Sequence, residues 1–400
     1  MLILVLNFGG TSGKLAVYED TKCIEEYSFD YSQEELDLSL PAEVDVRKRA
    51  DAVLKWLDSI GYKVEDFDAI APRLGATFYG GDGGTFKIEG VLKEVIEKKF
   101  VPGKPLMHAL FGTIKIVDYL LETTDKDIPI YVTDPASIDQ FIPEAKITGL
   151  PGAEKRASFH ALSQRAAARK AAEELGKEYN EVNIVVAHMG GGLSIGAHEH
   201  GRIVDTTDST GDGDGPFSAK RAGSVPSGAI IKMCFSGKYT EDKMYRLVRN
   251  QAGLEGYLGT SDLRVIEKRI EDGDKEAELI FNALAYQISR EIAACFASLH
   301  GHADGIAFTG GMSKSKKLIQ AIRERIGVMA PFFIYPGDLE NDAIAAGAYR
   351  ALKGLEPLAV YNPEDEYKNA FSKYRRFQIN IPGRTVFSRK RRRKRAWNRV

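Results

Sequence analysis

Three stretches of the chain share one pattern, a short and nearly unbroken apolar run closed by glycines. Residues 2–8, LILVLNF, lead into Gly9 and Gly10; residues 183–189, NIVVAHM, lead into Gly190, Gly191 and Gly192; residues 303–309, ADGIAFT, lead into Gly310 and Gly311. Apolar runs of this length bounded by turn residues predict buried strands. The first two continue alike, through serine and glycine into a second strand. One strand–turn–strand element therefore occurs twice, about 180 residues apart.

Elsewhere the period lengthens. Residues 156–179 and 274–302 read as long helices, and the third glycine turn precedes an amphipathic helix from about Ser313. PFFIYP, residues 331–336, predicts a last strand and ENDAIAAGAYRALKG, residues 340–354, a last helix. Strands mixed with long helices predict an α/β fold. The Gly and Pro of GLPGAE, residues 149–154, predict a boundary between a first domain over 1–150, completed by the helix at about 342–356, and a second over 151–341.

A chain of 400 residues exceeds what one core usually serves, so two domains are expected. The formal charge of −1 hides an asymmetry: from Arg384 onward nine residues are Lys or Arg and none is acidic, leaving 46 basic against 56 acidic residues before it. An acidic body predicts neither a nucleic-acid nor a membrane partner. Residues 378–400 lack apolar periodicity and read as a disordered or non-native extension. MLILVLNF has no basic flank or cleavage site and reads as a strand, not a signal peptide. Cys23, Cys234 and Cys295 are odd in number and far apart, which predicts buried free thiols and a cytoplasmic location.

Glycine turns between strands can aim several backbone amides at one anion, and phosphate is the usual guest. Two matched turns facing each other, with the third at Gly310, predict a cleft that grips a nucleotide. The Walker spacing is absent, since GGTSGKL puts no hydroxyl after Lys14. DSTGDGDGP, residues 208–216, is no EF-hand but an acidic loop. His198 and His200 flank Glu199 where a solvated hairpin tip is expected.

The repeated element and FTGGM resemble the sugar kinase, Hsp70 and actin superfamily. LNFGGTSGKL, PRLGATFYGGDGG, YVTDPASIDQ, SFHALSQ, VVAHMGGGLSIGAHEHG and GDGPFSAKRAGSVPSG together resemble the acetate and butyrate kinases, the acetokinase family, the last being particularly like the butyrate kinases. The resemblance runs from residue 1 to roughly 356. It implies two duplicated actin-like (ribonuclease H-like) domains with a cleft between them, and reversible phosphoryl transfer between ATP and butyrate, or a branched relative such as isobutyrate. Acetate or propionate kinase is the near alternative, and an actin- or Hsp70-like ATPase switch the distant one.

The resemblance also implies roles. Arg73 and Arg221 hold the carboxylate and the moving phosphoryl, where like charges meet and positive charge is needed. His160 lies against the phosphoryl oxygens, with His188 and His108 near the cleft. Gly190, Gly191 and Gly192 bind the β- and γ-phosphates, and Gly310, Gly311 and Met312 the adenosine end. Gly9, Gly10, Thr11, Ser12 and Lys14 face them. Asp134 and Glu340 are the acidic pair for Mg2+, with Asn7 beside them, and Asp134 can also help hold Arg73 or Arg221. A fatty acid is already ionised near neutral pH, so no general base is needed and Asn7 can stand where a sugar kinase would place an acid. Gly75 stands where acetate kinases carry a small aliphatic residue, which opens room for a longer acid. A homo-oligomer built on helices of the second domain is expected.

Overall fold

The computed structural model describes residues 1–9, 12–30, 41–75, 77–101, 103, 112–208 and 213–364. Gly10, Thr11, His108, part of the acidic loop and the basic segment 378–400 lie outside the described residues.

The first apolar run is strand β1 (Leu2–Phe8), which continues antiparallel into β2 (Ser12–Glu19) and β3 (Lys22–Asp30), while β4 (Ala69–Pro72) joins parallel to β1. The sheet order is β3-β2-β1-β4. A short pair, β5 (Thr85–Lys87) with β6 (Tyr131–Thr133), follows in the chain. The second sheet repeats the plan. Strands β7 (Asn183–Met189), β8 (Leu193–Glu199) and β9 (Arg202–Thr206) form the antiparallel meander. β10 (Gly305–Gly310) and β11 (Phe332–Pro336) then add in parallel, for the order β11-β10-β7-β8-β9. Even the irregularities match, for each meander shifts register in its second hairpin, at Val17/Tyr18 and at Ala197/His198.

Strand alternation sends successive side chains to opposite faces, and both sheets use this to bury two helical layers. In the first sheet Leu4, Leu6 and Phe8 pack with Val46, Ala50 and Val53 of helix Ala42–Ser59. Ile3 and Val5 point the other way, onto Ile344, Ala345 and Ala348 of the last helix, Glu340–Lys353. In the second sheet Val185, Ala187 and Met189 meet Leu284, Ile288 and Ile292 of the long helix Lys275–Ser298. Ile184 and Val186 meet Ala167, Ala168 and Ala171 of helix Ala161–Glu174. The alanines keep that helix close to its sheet, and it also packs against the last helix. Gly347 serves the same end, since any Cβ there would collide with Thr133 of β6.

By this alternation Asn7 and His188 fall on the faces covered by the two inner helices. Each strand therefore delivers its last inward residue to a helix N-terminus, Asn7 to Glu340 and Asn341, and His188 to His160. A helix N-terminus carries partial positive charge, which suits a cleft that receives phosphates.

Several expectations need correction. The helix expected from Ser313 is a 3-10 turn, Gly311–Lys314, and the α-helix starts at Lys316 because the Ser315 hydroxyl caps it, accepting from Leu318 N at 2.9 Å. His198 is not in a solvated tip. It is fully buried within β8, because the turn lies beyond it at His200 and Gly201. Of the three free thiols only Cys295 is buried, while Cys23 and Cys234 are exposed.

Candidate active site

Arg73 follows β4 directly, and its backbone N–H donates to Leu6 O at 2.8 Å, so the ladder with β1 holds it beside Asn7. Its Nη1 donates to Glu340 Oε2 at 2.7 Å and to Asn7 Oδ1 at 3.3 Å. Asn7 Nδ2 donates to Glu340 Oε2 and to Asn341 Oδ1, each at 3.0 Å. Asn7 thus accepts from a cation and donates to an anion at once, which no carboxylate could do. The Arg73 side chain keeps 30% of its surface, and its Nη2 and Nε make no hydrogen bond among the described residues. Those donors remain for an anion.

Beside this cluster the rings of His160 and His188 stack, with centroids 4.0 Å apart and planes 23° from parallel. Burial, then the neighbouring His188 and the charges of Arg221 and Arg73, holds His160 well below the usual imidazole range. Burial likewise takes His188 down to about 4, with Arg73 adding to the shift and Asp338 opposing it. Both rings are neutral at physiological pH. The electrostatic reach of Arg73 and Arg221 onto one ring brings these two arginines and two histidines to one place.

Arg221 is held there by its loop. Ser218 N donates to Arg221 O at 3.1 Å, and the Ser218 hydroxyl donates to Gly191 O at 3.3 Å, so the arginine loop is tied to the second glycine turn. Gly253 allows this, because a side chain there would collide with Ser218 O. In the turn itself Gly190 N donates to Gly192 O at 2.9 Å, and Gly191 is exposed with open space around it. The third turn lies alongside: Gly310, at φ +90°, sits against the Met189 backbone and pairs with Gly337, while Gly311 is open and Met312 buried. A nitrogen of the buried His188 ring, Nδ1, has no hydrogen-bond partner among the described residues.

From the first half, Gly9 ends β1 and Ser12 starts β2. Lys14 Nζ donates to Asp338 Oδ2 at 2.6 Å, so this lysine is paired to the segment that enters the last helix. Burial works against ionisation of Asp338, yet Lys14, the Glu340 amide and Arg73 hold it below the usual carboxylate range. Burial pushes Glu340 up against the pull of Arg73. Gly75 is buried two residues beyond Arg73, and its carbonyl accepts from Thr77 N at 2.7 Å.

Asp134 follows directly on β6. It stands at φ +42° after β6 and is ion-paired with Arg165, and its Oδ1 also accepts from Gly84 N at 2.8 Å. Arg165 in turn donates to Asp82 O at 3.1 Å and to Gln140 Oε1 at 2.8 Å. The cation paired with Asp134 is Arg165, one turn into helix Ala161–Glu174. Sequence reasoning missed Arg165, Asp338, Asn341, Gln164 and Ser194. The last two carried a signal, four-residue spacing from His160 for Gln164 and strand alternation from His198 for Ser194.

Magnesium asks for one or two carboxylates and completes its shell with water and phosphate oxygens. Glu340 uses Oε2 and Asp134 uses Oδ1 for their bonds among the described residues, which leaves the second oxygen of each without a partner there. The donor chemistry fits that ion.

Two sheets of one plan, each covered inside by a helix whose N-terminus meets the last polar residue of the first strand, define a duplicated actin-like α/β fold. Comparison with known proteins agrees. Residues 145–330 match the acetokinase family. The fold is that of the acetate kinase of Porphyromonas gingivalis, with TM-score 0.69 and 19% identity over 88% of this chain and 99% of that one. A propionate kinase from Francisella tularensis gives 0.66 and 17% over 86% and 98%, and the acetate kinase of Entamoeba histolytica 0.63 and 18% over 82% and 87%.

Proposed function

We propose that the protein is an acetokinase-family enzyme that transfers phosphoryl reversibly between ATP and a short-chain carboxylate, butyrate or isobutyrate, giving an acyl phosphate and ADP. One observation carries this reading: Arg73, with donors unused by protein, stands beside Arg221 and a neutral His160 where the two halves meet. A carboxylate oxygen attacks the γ-phosphorus in line, forming the new O–P bond as the bond to the ADP oxygen breaks. Arg73 and Arg221 offset the repulsion between acid and triphosphate, and His160 donates to the phosphoryl oxygens. The open turns at Gly191 and Gly311 take the phosphates and the adenosine end. Glu340 and Asp134, with Asn7 orienting Glu340, would hold magnesium, which neutralises charge on the phosphates when bound.

Gly75 favours a longer acid. Each additional buried methylene contributes about 0.8 kcal/mol, so two would favour butyrate over acetate by roughly tenfold. Acetate or propionate is the second reading, favoured by the likeness to the two acetate kinases and the propionate kinase. Helix Ser227–Cys234 buries none of its residues, and Ile231 and Phe235 are 56% and 86% exposed. Such a helix needs a cover, and a second copy of the chain is proposed as that cover. Exposed free thiols at Cys23 and Cys234 suit a reducing, cytoplasmic compartment. No helix among the described residues is long and apolar enough to cross a membrane.

The test is hydroxylamine trapping of acyl phosphate with ATP and magnesium, comparing butyrate, isobutyrate, propionate, acetate and glycerol. Trapped product with butyrate or isobutyrate in excess is expected. An acetate preference would leave the kinase and remove the butyrate assignment. ATP hydrolysis without trapped product would point to an ATPase switch.

A further inference from the structure

We propose that Tyr179, His198, Gln164 and Ser194 form a one-way hydrogen-bond relay that fixes the proton of His160 on Nε2, which makes them positioning residues for the reaction. The inference rests on the kinase reading for its purpose but on geometry for its existence.

The bonds run from the back of the second sheet to the cleft. Tyr179 OH lies 2.8 Å from His198 Nδ1, and His198 Nε2 lies 3.1 Å from Gln164 Oε1. Gln164 Nε2 lies 2.8 Å from Ser194 Oγ and 3.3 Å from Thr206 Oγ1, and Ser194 Oγ lies 3.0 Å from His160 Nδ1. Gln164, Ser194 and His198 are fully buried, so none of these groups can turn to water.

In the proposed relay the direction is set at Thr206, whose hydroxyl donates to Thr207 O at 3.3 Å and accepts from the Gln164 amino group at 3.3 Å. With that end fixed, Oε1 faces His198 and can only accept, so His198 carries its proton on Nε2. His198 Nδ1 then accepts from Tyr179. At the other end Ser194 accepts from Gln164, and its own proton has one acceptor among the described residues, His160 Nδ1. The His160 proton is left on Nε2. Burial and the adjacent Arg165 hold His198 down to about 3, which keeps a second proton off the middle of the relay.

The sequence makes room for this path. Ser194, Gly196 and His198 alternate onto one face of β8, and a Cβ at Gly196 would collide with the Gln164 amide. Gln164 sits one turn after His160 on the same helix face. The consequence falls on the reacting phosphoryl group. With the proton on Nε2, a neutral His160 offers a donor to the cleft, where Nε2 makes no bond among the described residues. With the proton on Nδ1 it would turn a lone pair toward anionic oxygens.

The test uses protein labelled with 15N in its histidines, read by NMR correlation of ring nitrogens with ring protons, His160→Asn assigning the signal. A bare Nδ1 and a protonated Nε2 are expected in the unaltered protein. Ser194→Ala should shift the pattern toward the other tautomer and lower kcat about 10- to 100-fold, the range for partners that orient active histidines. KM for ATP should stay within about twofold, because the ground-state contacts are kept. Tyr179→Phe, at the far end, should move both readouts less and in the same direction, and carries the test if Ser194→Ala does not fold. An Nδ1–H signature in the unaltered protein, or an unchanged kcat in Ser194→Ala, overturns the relay. Absence of acyl phosphate from the unaltered protein overturns the kinase reading instead, and the NMR signature still decides the relay.

Discussion

Asn7 donates to Glu340 across 333 residues of chain, and the same side chain accepts from Arg73. The first strand and the last helix are thereby joined at the centre of the candidate site. Asn7→Asp would keep the shape and remove both donated bonds, setting a carboxylate against buried Glu340. Trapping assays should show acyl phosphate formation lowered roughly a hundredfold, because Arg73 then faces two anions and is withdrawn from substrate. Activity near that of the unaltered protein would show that the neutral amide is not needed.

This contact shows where sequence reasoning stops. The apolar runs LILVLNF and NIVVAHM, each closed by glycines, made the strand–turn–strand repeat legible, with Asn7 and His188 at matching places in it. The hydrogen bonds of Asn7 to Glu340 and Asn341 could not be read from the residues themselves, because nothing local ties residue 7 to residue 340, and only the resemblance set Asn7 beside Glu340. Asp134 shows the same limit: its position after a strand was legible, but its pairing with Arg165 depends on where the tertiary fold sets helix Ala161–Glu174. His198 was misplaced because a hairpin tip was drawn two residues too early.

Arg73 offers a planar fork with Nη1 committed to Glu340 and Asn7. Lysine has a point charge and cannot satisfy both partners while reaching a second anion. Arg73→Lys should therefore behave almost as badly as Arg73→Ala, each losing about 3 kcal/mol of transition-state stabilisation in kcat/KM. Substantial rescue by lysine would show that charge alone matters there.

His188 and His198 fold with pKa values near 4 and 3, below the 6.5 of an exposed imidazole. The unfolded chain then binds protons first as pH falls. The stability that these buried neutral rings retain is whole above about pH 6.5 and drains below it, at about 1.4 kcal/mol per pH unit for each ring. Urea midpoints should fall steadily as pH drops from 6.5 toward 4, and His198→Gln should flatten that slope. An equal slope in the variant would place the acid sensitivity elsewhere.

Ile231 and Phe235 lie on and just after a helix that buries nothing. If a second copy covers them, Ile231→Asp with Phe235→Asp should convert the assembly to monomers in sedimentation experiments. The same change on a surface without a partner would leave the mass unaltered.

Gly75 is the residue proposed to set the choice of acid. It is buried two residues beyond Arg73, the residue proposed to grip the carboxylate. Gly75→Val adds three carbons, and if the space beside Gly75 holds the alkyl end of the substrate, those carbons displace butyrate before they touch acetate. Each methylene excluded removes about 0.8 kcal/mol, so the ratio of kcat/KM for butyrate over acetate should fall at least about tenfold, with acetate itself little changed. Both activities falling together would mean that residue 75 supports Arg73 and does not line the pocket. A ratio that stays fixed would move the specificity pocket to another wall of the cleft.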